Sequence, residues 1–291
     1  NRLMQYRALD EEWISIPTPY LKISGLGDHY FETGDGISIS GLGDGTNSHV
    51  TALNGSYVIE NSDHGEIVVT GILDETWTQD CAEFPILIER KVPRLDFIVE
   101  AENRLWGCTR NTNEIYASKL GDFKNWNVFS GLSTDSWVGN VGSTGHFTGA
   151  VNHGGYPVFY KQDMKHKIWP SSTGAHQIKS TTCPGVRENS GNSLALYNGQ
   201  LLYLSPQGVC MDDGSGPVPI SQQLGNVPYY NGSAAVHGHK YYICMKDAWH
   251  KRQLYVYDLN KQLWHKESAR DFEYIVSANH YLFAVEADYH G

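Results

Sequence analysis

The feature that most constrains the fold is a repeat. Short apolar runs that follow a turn pair can be placed in register as Asn103-Arg-Leu-Trp-Gly, Gly155-Tyr-Pro-Val-Phe, Gly199-Gln-Leu-Leu-Tyr, His239-Lys-Tyr-Tyr-Ile and His280-Tyr-Leu-Phe-Ala. Their third positions are Leu105, Pro157, Leu201, Tyr241 and Leu282, spaced 52, 44, 40 and 41 residues apart. A period of about 40–50 residues holding several short strands is the pattern of propeller blades. The first copy is the fullest. Within residues 96–126, positions 97–100, 105–108 and 115–118 have strand character, and polar turns separate them. Gly121-Asp122 then turns the chain before Trp126. Residues 115–126 and 254–264 each add a hairpin ending in a Trp.

The remaining segments are arranged around that repeat. Residues 3–16 form a strand, an acidic turn at 10–12, and a second strand opening at Trp13. Pro17 and Pro19 end it, because proline cannot donate to a ladder. The series Tyr6, Asp10, Trp13 echoes Tyr257, Asn260, Trp264, and the last repeat stops after its inner strands. Residues 1–17 are therefore expected to be the outer strands of a closing blade whose inner strands are C-terminal, a device that removes open edges. Residues 18–95 are expected to be a small β-rich inserted domain or an irregular blade, with about five strands at 21–24, 37–40, 56–59, 66–70 and 85–89. The alternation of Ile37 and Ile39 with Ser38 and Ser40 marks a half-buried strand. Residues 96–291 are the blades. No segment sustains a 3.6-residue apolar period. The expectation is an all-β chain: a β-propeller of about five blades with a small inserted β-domain.

Composition narrows the function classes. The net charge is −10 and no Lys/Arg cluster stands out, so the electrostatic footprint of a nucleic-acid binder is missing. No run approaches the roughly 20 apolar residues that span a bilayer. The five Cys are widely spaced without a C-x-x-C, as expected of small buried hydrophobes in a reducing environment. The opening at Asn1 and the stop after a strand-like segment fit a piece of a longer chain.

Chemistry-bearing residues are few. His237 and His239 put two imidazoles on one strand face, where a transition metal would need a third ligand; they are taken as solvated turn histidines. Asp212-Asp213-Gly214 is read as a hairpin turn, since a calcium loop needs further oxygen ligands at set spacing. Residues 118–126 are reminiscent of the Asp-box hairpin, in which an Asp braces a turn and a Trp packs between sheets. No carboxylate pair is singled out as catalytic, and no cofactor motif is present: Gly25-Leu-Gly27 and Gly41-Leu-Gly-Asp-Gly45 lie between strands. Trp13, Trp106, Tyr116, Trp126, Tyr203, Tyr242, Tyr257 and Trp264 are expected to pack between blades.

Several long motifs carry a resemblance. They are Val92-Pro-Arg-Leu-Asp96 running on to Cys108, residues 114–129, and Gly131-Leu-Ser-Thr-Asp-Ser136. Further on come Gly185-Val186 before Ser193-Leu194, Gly208-Val209 leading to Asp213-Gly214, Ile220-Ser221, and Tyr255-Val-Tyr-Asp258 with Trp264-His-Lys-Glu267. With Asp35-Gly-Ile-Ser-Ile-Ser-Gly41 and Leu53-Asn-Gly55 they cover most of the chain. Together they resemble a family of tail-associated structural proteins of tailed phages and prophages of gut Clostridia-like bacteria. The resemblance implies a virion tail component made in the bacterial cytoplasm, with other virion proteins as partners and no catalytic residue to carry over. Related propellers of short-tailed phage nozzles assemble in rings, which implies a homo-oligomeric ring. The reading from a different class is an extracellular glycan-binding or carbohydrate-active propeller, a receptor-binding tail part included. Its motive is the aromatic surplus of 18 Tyr and 8 Trp.

Overall fold

The computed structural model describes residues 2–7, 20–43, 46–70, 76–249, 251–268 and 272–286. The chain is all-β and forms two compact units. The first comprises Asn1–Pro93 with Ala117–Trp137, and the second Arg94–Tyr116 with Val138–Gly291.

In the first unit the strands are β1 (Arg2–Arg7), β2 (Tyr20–Ser24), β3 (Gly36–Ser40), β4 (Gly55–Asp63), β5 (Glu66–Thr70), β6 (Thr76–Gln79) and β7 (Leu87–Arg90). They form one sheet in the order β6-β1-β2-β5-β4-β3-β7. The alternation at Ile37 and Ile39 puts both into a core with Leu21, Ile23, Ile67 and Val69. One helical turn, α1 (Ser48–Thr51), follows the glycine-rich run; the Asn47 side chain caps it by accepting from the His49 and Val50 amides. Residues 117–137 join this unit through Asn125, whose side chain accepts from the Gly36 amide at 3.2 Å and donates to the Gly34 carbonyl at 2.5 Å.

Two expectations are corrected here. Arg2–Arg7 pairs with Tyr20–Ser24 and Thr76–Gln79, and does not serve as the outer strand of a C-terminal blade. The short N-terminal strand finds its hydrogen-bond partners on the nearer sheet, whose middle position between β2 and β6 it occupies. The expected closing hairpin at residues 8–17, Trp13 included, lies outside the described residues. The second correction concerns residues 96–126. The expected hairpin ending at Trp126 does not form: residues 117–137 belong to the first unit, and the strand that pairs with Glu114–Ala117 is Trp137–Asn140, which follows them.

The second unit is a succession of antiparallel meanders. Sheet I holds β8 (Phe97–Ala101), β9 (Arg104–Cys108), β10 (Glu114–Ala117) and β11 (Trp137–Asn140). Sheet II holds β12 (Gly149–His153), β13 (Tyr156–Tyr160), β14 (Met164–Trp169) and β15 (Gln177–Thr182). Sheet III holds β16 (Ala195–Tyr197), β17 (Gln200–Ser205), β18 (Gly208–Asp212) and β19 (Pro217–Pro219). Sheet IV holds β20 (Tyr230–His237), β21 (Lys240–Lys246), β22 (Arg252–Asp258) and β23 (Leu263–Ser268). A two-stranded hairpin of β24 (Phe272–Ala278) and β25 (Tyr281–Glu286) follows.

The five aligned positions Leu105, Pro157, Leu201, Tyr241 and Leu282 all fall in the second strand of these sheets. Local chemistry sets that register. A two-residue turn joins the first and second strand each time, and Glu102-Asn103, Gly154-Gly155, Asn198-Gly199 and Asn279-His280 have positive φ at both positions. Such turns match the right-handed twist of the flanking strands and favour Asn and Gly.

The sheets stack in chain order, and alternation along the second strand makes this possible. On β17, Leu201 and Tyr203 pack backward against Val158 and Tyr160 of sheet II, while Leu202 and Leu204 pack forward against Tyr241 and Ile243 of sheet IV. On sheet IV, Ala235, Cys244 and Leu254 pack forward against Ile275 of β24. Side chains reaching a neighbouring backbone lock the stack: Tyr241 donates to the Ser193 carbonyl at 2.8 Å, and the Ile275 amide donates to Ser233 Oγ at 3.2 Å.

Candidate functional site

The second unit carries a depression of about 710 Å³ whose wall includes His146, Gln162, Asp163, Cys183, Glu188 and Gln207. These residues come from four separate connections. His146 precedes β12, Gln162 and Asp163 make the β13–β14 turn, Cys183 and Glu188 follow β15, and Gln207 sits in the β17–β18 turn. Backbone bonds hold the connections together: the Cys183 amide donates to the Asp163 carbonyl at 3.0 Å and the Gly185 amide to the Gln162 carbonyl at 2.9 Å. The approach is so close that a Cβ at Gly185 would stand 1.9 Å from the Lys161 carbonyl oxygen, so only glycine fits.

Beside the depression lies a buried polar cluster. Lys161 has no exposed surface. Its Nζ donates to Asn113 Oδ1 at 2.7 Å and to the Ser143 carbonyl at 2.8 Å, and it sits 5.0 Å from the Phe147 ring centre. Burial lowers its pKa, opposed by the charge of Asp163. His166 is also fully buried, with Nε2 3.0 Å from Ser143 Oγ and Nδ1 2.8 Å from Ser180 Oγ. Burial, helped by the Lys161 charge, brings its pKa down to about 4. The Ser143–His166 distance is that of a nucleophile and its base, but the electrostatics oppose proton uptake. A hydroxyl occupies the place of an orienting carboxylate, and an ammonium lies nearby. A neutral imidazole joining two serines is the state this environment favours. Burial likewise pushes up the pKa of Cys183, which keeps it a thiol and a weak nucleophile at neutral pH. The arrangement presents carboxylates, amides and hydroxyls to a ligand at the rim, with the Lys161 ammonium and a neutral imidazole beneath.

His166 and His176 set a pH dependence. Burial, then the Arg104 charge, puts His176 at about 4 as well. Both imidazoles stay neutral in the folded chain and take up protons on unfolding, where their pKa is near 6.5. The contribution of the two imidazoles is therefore complete above about 6.5 and is lost as pH drops toward 4, by up to roughly 1.4 kcal/mol per pH unit for each. The lowered carboxyl of Asp258, held by the Lys261 and Asn260 amides, acts only below the ordinary 3.8 of an aspartate. Urea midpoints at pH 7.5, 6 and 5 should fall in that order, and His166→Leu should flatten the trend. A flat wild-type profile would contradict it.

The other residues singled out from the sequence are dispersed. His237 Nδ1 meets Ser277 Oγ at 3.1 Å, whereas His239 Nε2 stands 3.7 Å from Asp258 Oδ2, so the two imidazoles engage different partners. Among the described residues, no three metal-ligating side chains come together. Asp212-Asp213-Gly214 is a turn, with Asp212 Oδ1 accepting from the Gly214 amide at 2.8 Å. Trp106 is fully buried in β9 and donates to the Ala101 carbonyl at 3.0 Å. Tyr116 is half-buried and donates to Glu114. Trp126 is buried in the first unit and donates to the Phe123 carbonyl at 2.8 Å, beside a turn braced by Asp122. Tyr203 joins sheets II and III and donates to the Pro184 carbonyl at 2.7 Å. The Tyr257 and Trp264 rings meet at 4.9 Å in a tilted contact, Tyr257 in the core between sheets III and IV and Trp264 packed against it. Tyr242 packs against the core that sheet IV shares with β24.

Sequence reasoning missed Lys161, His166 and the Lys165–Asp212 pair. Lys161 and Asp212 lie at polar turns and Lys165 and His166 in the polar start of β14, where such residues read as solvated. No protein-family model matches the chain, and no curated protein does.

Proposed function

We propose that the second unit is a β-propeller of about five blades, the last represented by β24 and β25, and that the protein is a non-enzymatic structural component of a phage or prophage tail. It works by rigid packing against other virion proteins. The observation that carries this reading is how the resemblance motifs are used. Asp258 accepts from the Asn260 and Lys261 amides, Ser221 Oγ accepts from the Val209 amide, and Trp264 Nε1 donates to the Ile220 carbonyl. Motif residues whose polar groups hold turns and sheet-to-sheet contacts support a scaffold rather than a reaction. The stack of four-stranded meanders supports the propeller. The test is mass spectrometry of purified particles from an induced prophage that encodes the chain: peptides should co-purify with tails, and their absence from intact particles would overturn the proposal.

A glycan-binding reading rests on one surface feature. Trp169 is 40% exposed, its ring lies 4.4 Å from that of Tyr156, and Lys167 Nζ sits over both rings. A partly exposed ring beside a half-buried one offers a stacking platform for a sugar face. Binding on a glycan array that Trp169→Ala abolishes would favour this reading, and a flat array would remove it.

A further inference from the structure

Among the described residues, the β24–β25 hairpin has one covered face and one bare face. Ile275 and Leu282 pack back onto sheet IV. The opposite face carries the cross-strand pairs Tyr274–Val285, Val276–Phe283 and Ala278–Tyr281. Every one of these six residues is apolar and exposed, with Tyr274 at 52%, Val276 at 57%, Tyr281 at 68%, Phe283 at 52% and Val285 at 57%. The corresponding positions on the preceding sheets, such as Leu202 and Leu204 or Tyr242 and Cys244, lie under the next sheet. A contiguous apolar face of this size marks an interaction site.

We propose that this face binds the same face of a second copy of the chain, sheet on sheet, across a two-fold axis parallel to the strands. Two features identify the occupant. The first is the pattern of large and small residues. Each cross-strand pair sets a ring against Val or Ala, and an axis along the strands exchanges β24 with β25 at each level. Tyr274 then lies over the second copy's Val285, Phe283 over its Val276 and Tyr281 over its Ala278, so bulky groups meet small ones throughout. A two-fold requires such self-complementarity. The second is area. With an aromatic side chain contributing roughly 150–250 Å², the exposed parts of the five large residues amount to about 500 Å² per copy, or about 1,000 Å² for the pair, the threshold of a specific interface. The outer face of sheet I fits less well as a head-to-tail partner. It offers exposed Ile98 beside the exposed carboxylate of Glu100, which would be buried against rings. The dimer needs the stack of sheets to stay open at β24–β25, so it competes with closure of the proposed propeller onto sheet I. It does not depend on the tail assignment, and a monomeric result would leave that assignment standing.

The test is the solution mass of the 291-residue chain by light scattering and sedimentation equilibrium, up to about 100 μM, a weak limit for an interface of this size. The wild type should reach twice 32.6 kDa. So should Trp249→Lys, whose exposed ring lies outside the hairpin. Phe283→Lys should remain monomeric at the same concentration with an unchanged far-UV spectrum. If Phe283→Lys fails to fold, Tyr281→Lys, the most exposed position of the face, decides in its place. A monomeric wild type would overturn the proposal and point to another segment covering the face. A mass above two copies would overturn it in favour of a ring, and a dimer that survives both substitutions would place the contact elsewhere.

Discussion

Asp212→Ala should destabilise the second unit by about 3–5 kcal/mol, the usual cost of removing one member of a buried ion pair. Asp212 has no exposed surface, and Lys165 Nζ meets its Oδ2 at 2.6 Å with little solvent access of its own. The pair joins β14 of sheet II to β18 of sheet III. Its loss leaves an ammonium desolvated and uncompensated, which outweighs any gain from added apolar surface. The same carboxylate accepts from the Gly214 amide through Oδ1, so the alanine also frees a turn donor. Asp212→Asn keeps the turn bond and should fall between the two. The double variant Lys165→Met with Asp212→Leu removes both charges and should recover most of the loss. Thermal unfolding would show the alanine as a drop on the order of 10 °C. A double variant no more stable than Asp212→Ala would contradict this account.

Trp106→Ala should cost about 3–5 kcal/mol, as expected for a large ring removed from a close-packed core. Trp106 is fully buried, donates to the Ala101 carbonyl, and meets His176 edge-on at 5.2 Å. The alanine leaves a cavity and removes the indole hydrogen bond to the Ala101 carbonyl. It should also hydrate His176, raising that imidazole from about 4 toward its ordinary value, which histidine proton NMR would follow. Trp169→Ala is the matched control. Its ring is partly exposed at the end of β14, and the loss should stay below about 1 kcal/mol. Equal effects at the two positions would overturn the distinction between core and surface tryptophans.

How much of this was legible in the sequence can be judged from particular residues. Period-2 alternation and turn pairs are local, and they located the second strand of every sheet in the second unit, through Asn198-Gly199 and its counterparts. They also marked Ile37 and Ile39 as inward-facing. The outer strands β15 and β19 were not legible, because Gln177–Thr182 is polar and Pro217–Pro219 contains two prolines. Their edge positions tolerate both. The candidate site was illegible for a related reason. Lys161, Lys165 and Asp212 look like solvated turn residues until neighbouring sheets cover them.

The sequence by itself determined the all-β class, the register of the repeat and the turns that set it, since each depends on contacts between near neighbours. Only the tertiary structure decided where the long-range partners lie. It paired Arg2–Arg7 with β2 and β6, drew residues 117–137 into the first unit, and, among the described residues, left the Tyr274–Val285 face of the last hairpin uncovered. The physical reason is that strand pairing and charge burial depend on which surfaces meet. Alternation states only that a strand has an apolar face, and packing selects what covers it.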